Sequence, residues 1–307
     1  MHEVNVGKSI RVEMTRSRHR AIALAAGTSL LTAALVYAYA LEPRRIVVDH
    51  VSVQVRDLHA GLHGFSVVQL SDIHSGTRKG WAAQLLRAVA IANDLCPDLV
   101  VLTGDFSNRT SLVPDCIAIL AGLKARHGTI AVLGNHDYAG SPRRLPVVVD
   151  ALREAGITLL RNDVFEVPGG GQLRFVGLDD ASTGHDKLAL ALGRLPCQRG
   201  TRIMLSHYPD SVDMLSPGTV DLVLSGHAHG GQVRLPLVGF LAGRLRARTA
   251  YLRGRYRVDG TSLYVNRGLG TSFPGIRFLV PPEITHITLE RKPEPARRPR
   301  VRRSHSG

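Results

Sequence analysis

Between residues 60 and 155 the chain alternates strand and helix three times, and this order constrains the fold more than any other feature. Residues 64–70, 98–102 and 129–133 are short apolar runs of strand character. Residues 81–93 carry Leu85, Leu86, Val89 and Ala92 at helical spacing. Residues 113–123 and 145–155 also read as helices. A βαβαβα order predicts parallel strands with helices packed over them. Further on, residues 173–178, 202–206 and 220–224 read as strands with shorter helices between. From residue 248 strands dominate (250–258, 262–265 and 284–289), and an antiparallel portion is expected there. The predicted fold class is α/β, a four-layer αββα sandwich of two mixed sheets. No repeat is visible at a period of 20–50 residues.

The strands end in residues that can hold metals. Asp72 and His74 follow the first apolar run, Asp105 the second, and Asn135 and His136 the third. His207 follows the run at 202–206, and His227 and His229 the run at 220–224. In α/β sheets the C-terminal strand edge is where ligands bind. Any one of these residues could be a helix cap, a turn former or a satisfied loop histidine. Five coincidences at equivalent positions are hard to obtain from turns alone. Imidazoles and carboxylates suit divalent ions such as Zn, Mn or Fe, with Mg a further candidate. Two such ions, offset in part by Asp72, Asp105 and a bridging hydroxide, would leave a positive remainder. That remainder suits a phosphate undergoing in-line displacement. A His-rich set without thiolates argues against a structural zinc cage.

The two ends carry most of the charge. The net charge is +14, of which residues 291–307 hold +6 (seven Lys/Arg against one Glu) and residues 1–20 hold +3 (five against two). The remaining +5 is spread over residues 21–290, which disfavours a nucleic-acid groove. Residues 21–41 lack any charge, a length suited to a bilayer-spanning helix. Ala38-Tyr39-Ala40 would also serve as a signal cleavage site, so a secreted form is the alternative to an anchor. Basic residues before the span outnumber those just after it, which predicts a cytoplasmic N-terminus and an extracytoplasmic main domain, with the cytoplasmic face as the alternative, where a nucleotide-lipid substrate would sit more naturally. The expected division is a basic segment 1–20, an anchor or signal 21–41, a lead-in 42–59, a catalytic domain 60–290 and a disordered basic tail 291–307. The tail interleaves Pro293, Pro295 and Pro299 with arginines and reads as solvated, or as touching anionic headgroups. Three scattered cysteines without Cys-x-x-Cys give no disulfide framework and leave the compartment open.

Taken in order, Asp72-Ile73-His74, Gly104-Asp105, Gly134-Asn135-His136-Asp137, His207 and Gly226-His227-Ala228-His229 resemble the motif blocks of the calcineurin-like metallophosphoesterases. The resemblance covers about residues 60–290. Residues 230–236, 253–256, 266–272 and 281–283 look like the bacterial, membrane-anchored YaeI/YkuE-like phosphodiesterase branch. The resemblance implies one ion held by Asp72, His74, Asp105 and His229. It implies a second held by Asp105, Asn135, His207 and His227, with Asp105 bridging. His136 would be a non-ligand near the leaving oxygen, as general acid or charge stabiliser. Asp137 would orient it by accepting its second ring N–H. One departure lies at Phe106-Ser107-Asn108, where many members have an acidic residue or arginine, and it leaves substrate contacts there open. His50, His63, His127, His185 and His286 lie outside the blocks and are expected to be solvated or structural, His185 being the strongest candidate for an exception. Pocket walls are expected from residues 141–146, 179–187 and 238–249.

The function expected on this basis is hydrolysis of a phosphoester, a phosphodiester or pyrophosphate, at a dinuclear metal centre. The membrane segment favours a lipid-linked or envelope substrate. Two alternatives remain: a nuclease of the same fold, which lacks an aromatic-basic stripe here, and an inactive anchored module that binds through its tail.

Overall fold

The computed structural model describes residues 3–169, 172–235, 243–245 and 247–292, with backbone alone for residues 3–17. Its strands form two six-stranded sheets. The first contains β1 (Val47–Val55), β2 (Phe65–Leu70), β3 (Leu99–Thr103), β4 (Thr129–Val132), β5 (Thr158–Leu159) and β12 (Glu283–Arg291), in the order β1-β12-β2-β3-β4-β5. The second contains β6 (Asp163–Glu166), β7 (Arg174–Gly177), β8 (Arg202–Leu205), β9 (Leu222–Ser225), β10 (Gly254–Val258) and β11 (Thr261–Val265), in the order β10-β11-β9-β8-β7-β6. Strands β2 to β5 are mutually parallel, as are β7, β8, β9 and β11. The antiparallel pairs are β12 with β2, β10 with β11, and β6 with β7. Both sheets are mixed, as the sequence predicts.

Period-two alternation separates three cores. Val67, Leu99, Val101, Ile130 and Val132 point inward from the first sheet and meet Phe175, Ile203, Leu205, Leu222 and Leu224 of the second. Their neighbours Val68, Leu70, Val100, Leu102 and Ala131 point outward against three helices. These are α2 (Trp81–Asp94), α3 (Val113–Leu120) and α5 (Arg144–Glu154). On the far side, Val176, Met204, Val223, Leu263 and Val265 pack with Ala191 of α6 (Leu188–Gly193) and with Val212 and Leu215. The layers are therefore helix, sheet, sheet, helix. Strands buried on both faces read as continuous apolar runs, which is why they were legible. Helix α2 buries Leu85, Ala88, Val89 and Ala92 along one stripe. Pro97 lies just beyond its end.

The N-terminal region departs from the expectation in two ways. Helix α1 (Glu3–Val36) runs unbroken through the basic segment, and residues 37–44 continue it as wider and then tighter turns. The stretch Arg18–Arg44 is long and apolar enough to cross a membrane. Second, the expected lead-in 42–59 contains β1, which pairs in parallel with β12 over its whole length. Val51, Val53 and Val55 enter the inter-sheet core. The folded unit thus begins before residue 60. The alternation in Val51-x-Val53-x-Val55 signals the strand, but its partner lies over 200 residues away. The tail beyond residue 292 lies outside the described residues.

Removing β1 should uncover an edge of β12 and take three valines from the core. A chain starting at residue 60 is expected to lose cooperative thermal unfolding by circular dichroism. One starting at residue 37 should retain it.

Candidate metal centre

Loops from both sheets converge where the C-terminal ends of β2, β3 and β4 face those of β8 and β9. They carry Asp72 and His74, Asp105, Asn135 and His136, His207, and His227 and His229. The first two loops remain laced by backbone bonds: Asp72 N–H donates to Gly104 O and His74 N–H to Asp105 O, each at 3.0 Å. Asn135 and His136 open the short helix α4 (Asn135–Tyr138).

Backbone conformation marks the same residues. Asp72 (φ 50°), His74 (47°), Asp105 (60°), His227 (69°) and His229 (51°) all occupy the left-handed region. Such conformations cost on the order of 1–3 kcal/mol for non-glycine residues and cluster at functional sites. Close approach by the other chain segments needs glycine. A Cβ on Gly134 would collide with Asp105 Oδ1, and one on Gly226 would collide with Asp72 Oδ2.

The side chains surround shared points. His74 Nε2 and His207 Nε2 each lie 3.3 Å from the same oxygen, Asp105 Oδ2. His229 Nε2 lies 3.3 Å from Asp72 Oδ1 and 3.0 Å from His74 Nε2. His227 Nδ1 lies 3.1 Å from Asn135 Oδ1. Ligand atoms about 2.0–2.2 Å from one ion stand roughly 3.0–3.5 Å from each other, so these separations match neighbouring corners of a coordination shell. His207 Nε2 is buried with no hydrogen-bond partner, an orphan aimed at Asp105. The donor set therefore fits divalent cations. Three groups converge closely: Asp72, His74 and His229; His74, Asp105 and His136; and Asp72, Asp105 and His207. His227 and Asn135 sit beside these groups and touch each other.

Outer contacts fix the rings. His74 Nδ1–H donates to Asn108 Oδ1 at 2.8 Å, and His207 Nδ1–H donates to the Thr103 carbonyl at 2.7 Å. Both bonds fix the ring so that Nε2 faces Asp105. His227 Nε2–H donates to Ala247 O at 3.1 Å. Asn108 belongs to the Phe106-Ser107-Asn108 stretch that departs from the resembled pattern, and it orients His74, a role with no signal in the sequence.

Burial sets the charges. Burial alone would raise the Asp105 carboxyl, but the His207 and His74 rings beside it hold it well below the usual carboxylate range. Burial lowers His74 to about 4 and His229 well below its ordinary value, so both rings are neutral near pH 7. Burial would lower His207 too, yet Asp105 pulls it well above its ordinary value. That proton occupies the place of a cation, and a bound ion would release it.

His136 and Asp137 divide differently from the expectation. His136 is half-buried, its ring edge lies against His74 with centroids 4.7 Å apart, and its backbone N–H donates to Asp105 Oδ1 at 2.8 Å. Asp137 does not accept from the His136 ring. Its two oxygens accept backbone N–H groups from Asp105 (2.8 Å), Gly134 (2.9 Å) and Phe106 (3.0 Å). Three amides from two loops claim the carboxylate, so it pins those loops together. Burial, with the charge of Asp105 nearby, raises its carboxyl to about 7 against the pull of these amides.

Behind Asp72 stands Arg277, fully buried, with its guanidinium donating to the carbonyls of Gly268 (2.9 Å), Arg267 (2.8 Å), Gly270 (2.5 Å) and Val280 (3.1 Å). Leu269 N–H and Gly270 N–H in turn donate to Ser71 O and Asp72 O. An arginine in a mid-loop position gives no sequence signal for such a clamp. Of the histidines outside the motif blocks, His50 pairs with His286 (Nδ1 to Nδ1 3.0 Å), His127 stacks on Phe65, and His63 accepts from Arg291 N–H. His185 stacks on Tyr138 at 4.0 Å, next to the Asn135-His136-Asp137 turn. The expected wall 238–249 falls partly outside the described residues.

Two sheets with this acid-and-imidazole cluster between their facing edges make the protein a metallophosphoesterase, a hydrolase of phosphoric esters. Residues 65–231 match the family described as calcineurin-like phosphoesterase, and the chain belongs to that family. It is 34% identical over 280 residues to the uncharacterized metallophosphoesterase YkuE of Bacillus subtilis, spanning 87% of this chain and 94% of that one. It is 32% identical to phosphodiesterase YaeI of Escherichia coli, spanning 73% and 82%. It is 29% identical to the UDP-2,3-diacylglucosamine pyrophosphatase LpxG of Chlamydia trachomatis, spanning 81% and 91%.

Replacing Asp137 by Asn would turn an amide NH2 toward backbone donors and leave at least one buried N–H unpaired. Asp137→Asn is expected to cost about 1–3 kcal/mol in urea unfolding. It should also weaken metal binding in a titration, because the loops holding Asp105 and Gly134 lose their common acceptor.

Proposed function

We propose that this chain hydrolyses a phosphodiester or pyrophosphate at a pair of divalent cations, acting on a substrate associated with the membrane or envelope. The observation that carries this reading is Asp105 Oδ2, 3.3 Å from two imidazole nitrogens on different sheets. In this reading Asp72, His74, Asp105 and His229 hold one ion, and Asp105, Asn135, His207 and His227 the other. Zn, Mn or Fe suits these borderline donors, and Mg is less suited. When bound, such a pair supplies Lewis acidity and a nucleophile at neutral pH.

The chain's own residues do the rest. His74, His207 and His229 are buried and serve as fixed donors, while half-buried His136 can reach a substrate. His136 is assigned to the leaving oxygen, as proton donor or charge stabiliser. Its backbone N–H bond to Asp105 ties its position to the metal centre. Asp137 is a positioning residue that acts through the two loops it pins. Arg277 clamps the loop whose Gly270 N–H holds the Asp72 carbonyl from behind.

The apolar stretch Arg18–Arg44 supports a membrane anchor, with the domain on the extracytoplasmic side by the charge bias of the flanks. YaeI is named as a phosphodiesterase and LpxG as a pyrophosphatase of a nucleotide-linked acylated sugar, which supports a diester or pyrophosphate on a lipid.

Purified protein is expected to bind about two divalent ions per chain by elemental analysis. Chelation should abolish hydrolysis of an aryl phosphodiester, and Mn or Zn should restore it. Asp105→Asn should lose both metal and activity. His136→Ala should lose on the order of a hundredfold or more in kcat while keeping its metals. Stripping of the metals by His136→Ala would reassign that residue as a ligand.

A further inference from the structure

The apolar stretch does not end in a linker. Residues 37–44 dock directly onto the loop between Arg267 and Pro282, the same loop that backs Asp72. Arg277 N–H donates to Ala38 O at 2.9 Å, and Leu279 N–H donates to the buried Glu42 carboxylate at 2.6 Å. Arg78 donates to the carbonyls of Tyr39 and Gly275, and its guanidinium lies 4.6 Å from the Tyr39 ring centroid. Tyr37 meets Phe278 edge-on at 6.1 Å. Ala38, Glu42 and Pro43 are buried in this junction, while residues 18–33 are exposed. With β1 starting at Val47, the helix end and the domain form one body.

The path from this junction to the metal centre is short. Arg277 bonds to Ala38 through its backbone and to Gly268 and Gly270 through its side chain, and Gly270 N–H bonds to Asp72 O at 2.7 Å. A small cleft is lined by Pro43 at the helix end and by His74 at the centre, with Ile73, Trp81 and Leu269 between.

Apolar side chains stand exposed around the same junction. Phe273 is 88% exposed, Leu41 59%, Leu279 49% and Leu235 49%. Leu235 is brought there by the bridge between Val233 and Phe278, on the segment that begins at His229. Exposed Arg44 and Arg45 and half-buried Ile46 follow Leu41 along the chain. An apolar crest with a basic flank, continuous with a helix of membrane-spanning length, matches the headgroup and upper acyl region of a bilayer. The occupant is set by that continuity: whatever leaflet α1 enters is the one this crest must meet.

We propose that Leu41, Leu235, Phe273 and Leu279 form a second membrane-contacting surface, which seats the metal centre at the headgroup level of the leaflet that α1 enters. The ester attacked is then that of a lipid lying in that leaflet, presented to the centre from the membrane side. The proposal rests on the anchor reading above, and its test separates the two. The full chain is reconstituted in phosphatidylcholine–phosphatidylglycerol vesicles, with vesicle flotation reporting insertion. In Phe273→Trp, the added emission is expected to be blue-shifted and quenched by brominated-chain lipid beyond the quenching of parent Trp81. Hydrolysis is then compared on a soluble aryl phosphodiester and on the same aryl group esterified to a diacylglycerol phosphate in the vesicles. Phe273→Asp with Leu279→Asp should cost about tenfold on the lipid ester and leave the soluble ester unchanged. Protein that floats while the indole introduced at position 273 emits as if in water, unquenched, overturns the proposal. So does equal loss on both esters. Failure to float overturns the anchor reading and the proposal with it. Quenching of that introduced indole without hydrolysis of either ester supports the surface and counts against the proposed activity.

Discussion

Everything at the centre depends on one carboxylate held between two sheets. Asp105 leaves β3 in a left-handed conformation, accepts the His136 amide on Oδ1, and turns Oδ2 toward His74 and His207. Its charge persists in a buried setting because two imidazoles offset the desolvation that would otherwise protonate it. A lone buried carboxylate would neutralise instead. The arrangement is costly until cations arrive, and packing elsewhere in the protein offsets that cost.

That packing is the inter-sheet core. Leucine, valine and isoleucine from both sheets interlock and fix the strand ends relative to each other. The loops then need little length of their own: glycines at 134 and 226 let neighbouring segments approach Asp105 and Asp72 closely, and Asp137 joins the β3 and β4 loops through three amides. Asn108, Thr103 and Ala247 set the ring tautomers from outside. The histidine pair at 227 and 229 divides at this point. His229 turns to Asp72 and His74, and His227 to Asn135, with Ala228 buried in the outer core between them.

The strands of the two sheets that flank the centre were legible because each is buried on both faces and reads as an apolar run. The helices were legible from their stripes. Strand β1 was not, since its short alternation acquires meaning only beside β12, and β5 is two residues long. Among the site residues, the motif aspartates and histidines announced themselves by position after strands. Asn108 and Arg277 did not, because an amide and a guanidinium in loops carry no period and no spacing. Asp137 was legible as a residue of the site, but its partners were not: the family resemblance pointed to the His136 ring, and the fold supplied backbone amides instead.

The amino-acid sequence by itself determined the layer order, the identity of the metal-capable side chains and the presence of an apolar stretch long enough to span a bilayer. These follow from periodicity and from residue chemistry, which are local. Only the tertiary structure decided which donors share a point, which oxygen of Asp105 faces which ring, and that the apolar helix ends on the loop behind Asp72. Those are distances between segments far apart in the chain, and they are fixed by the packing of one sheet on the other.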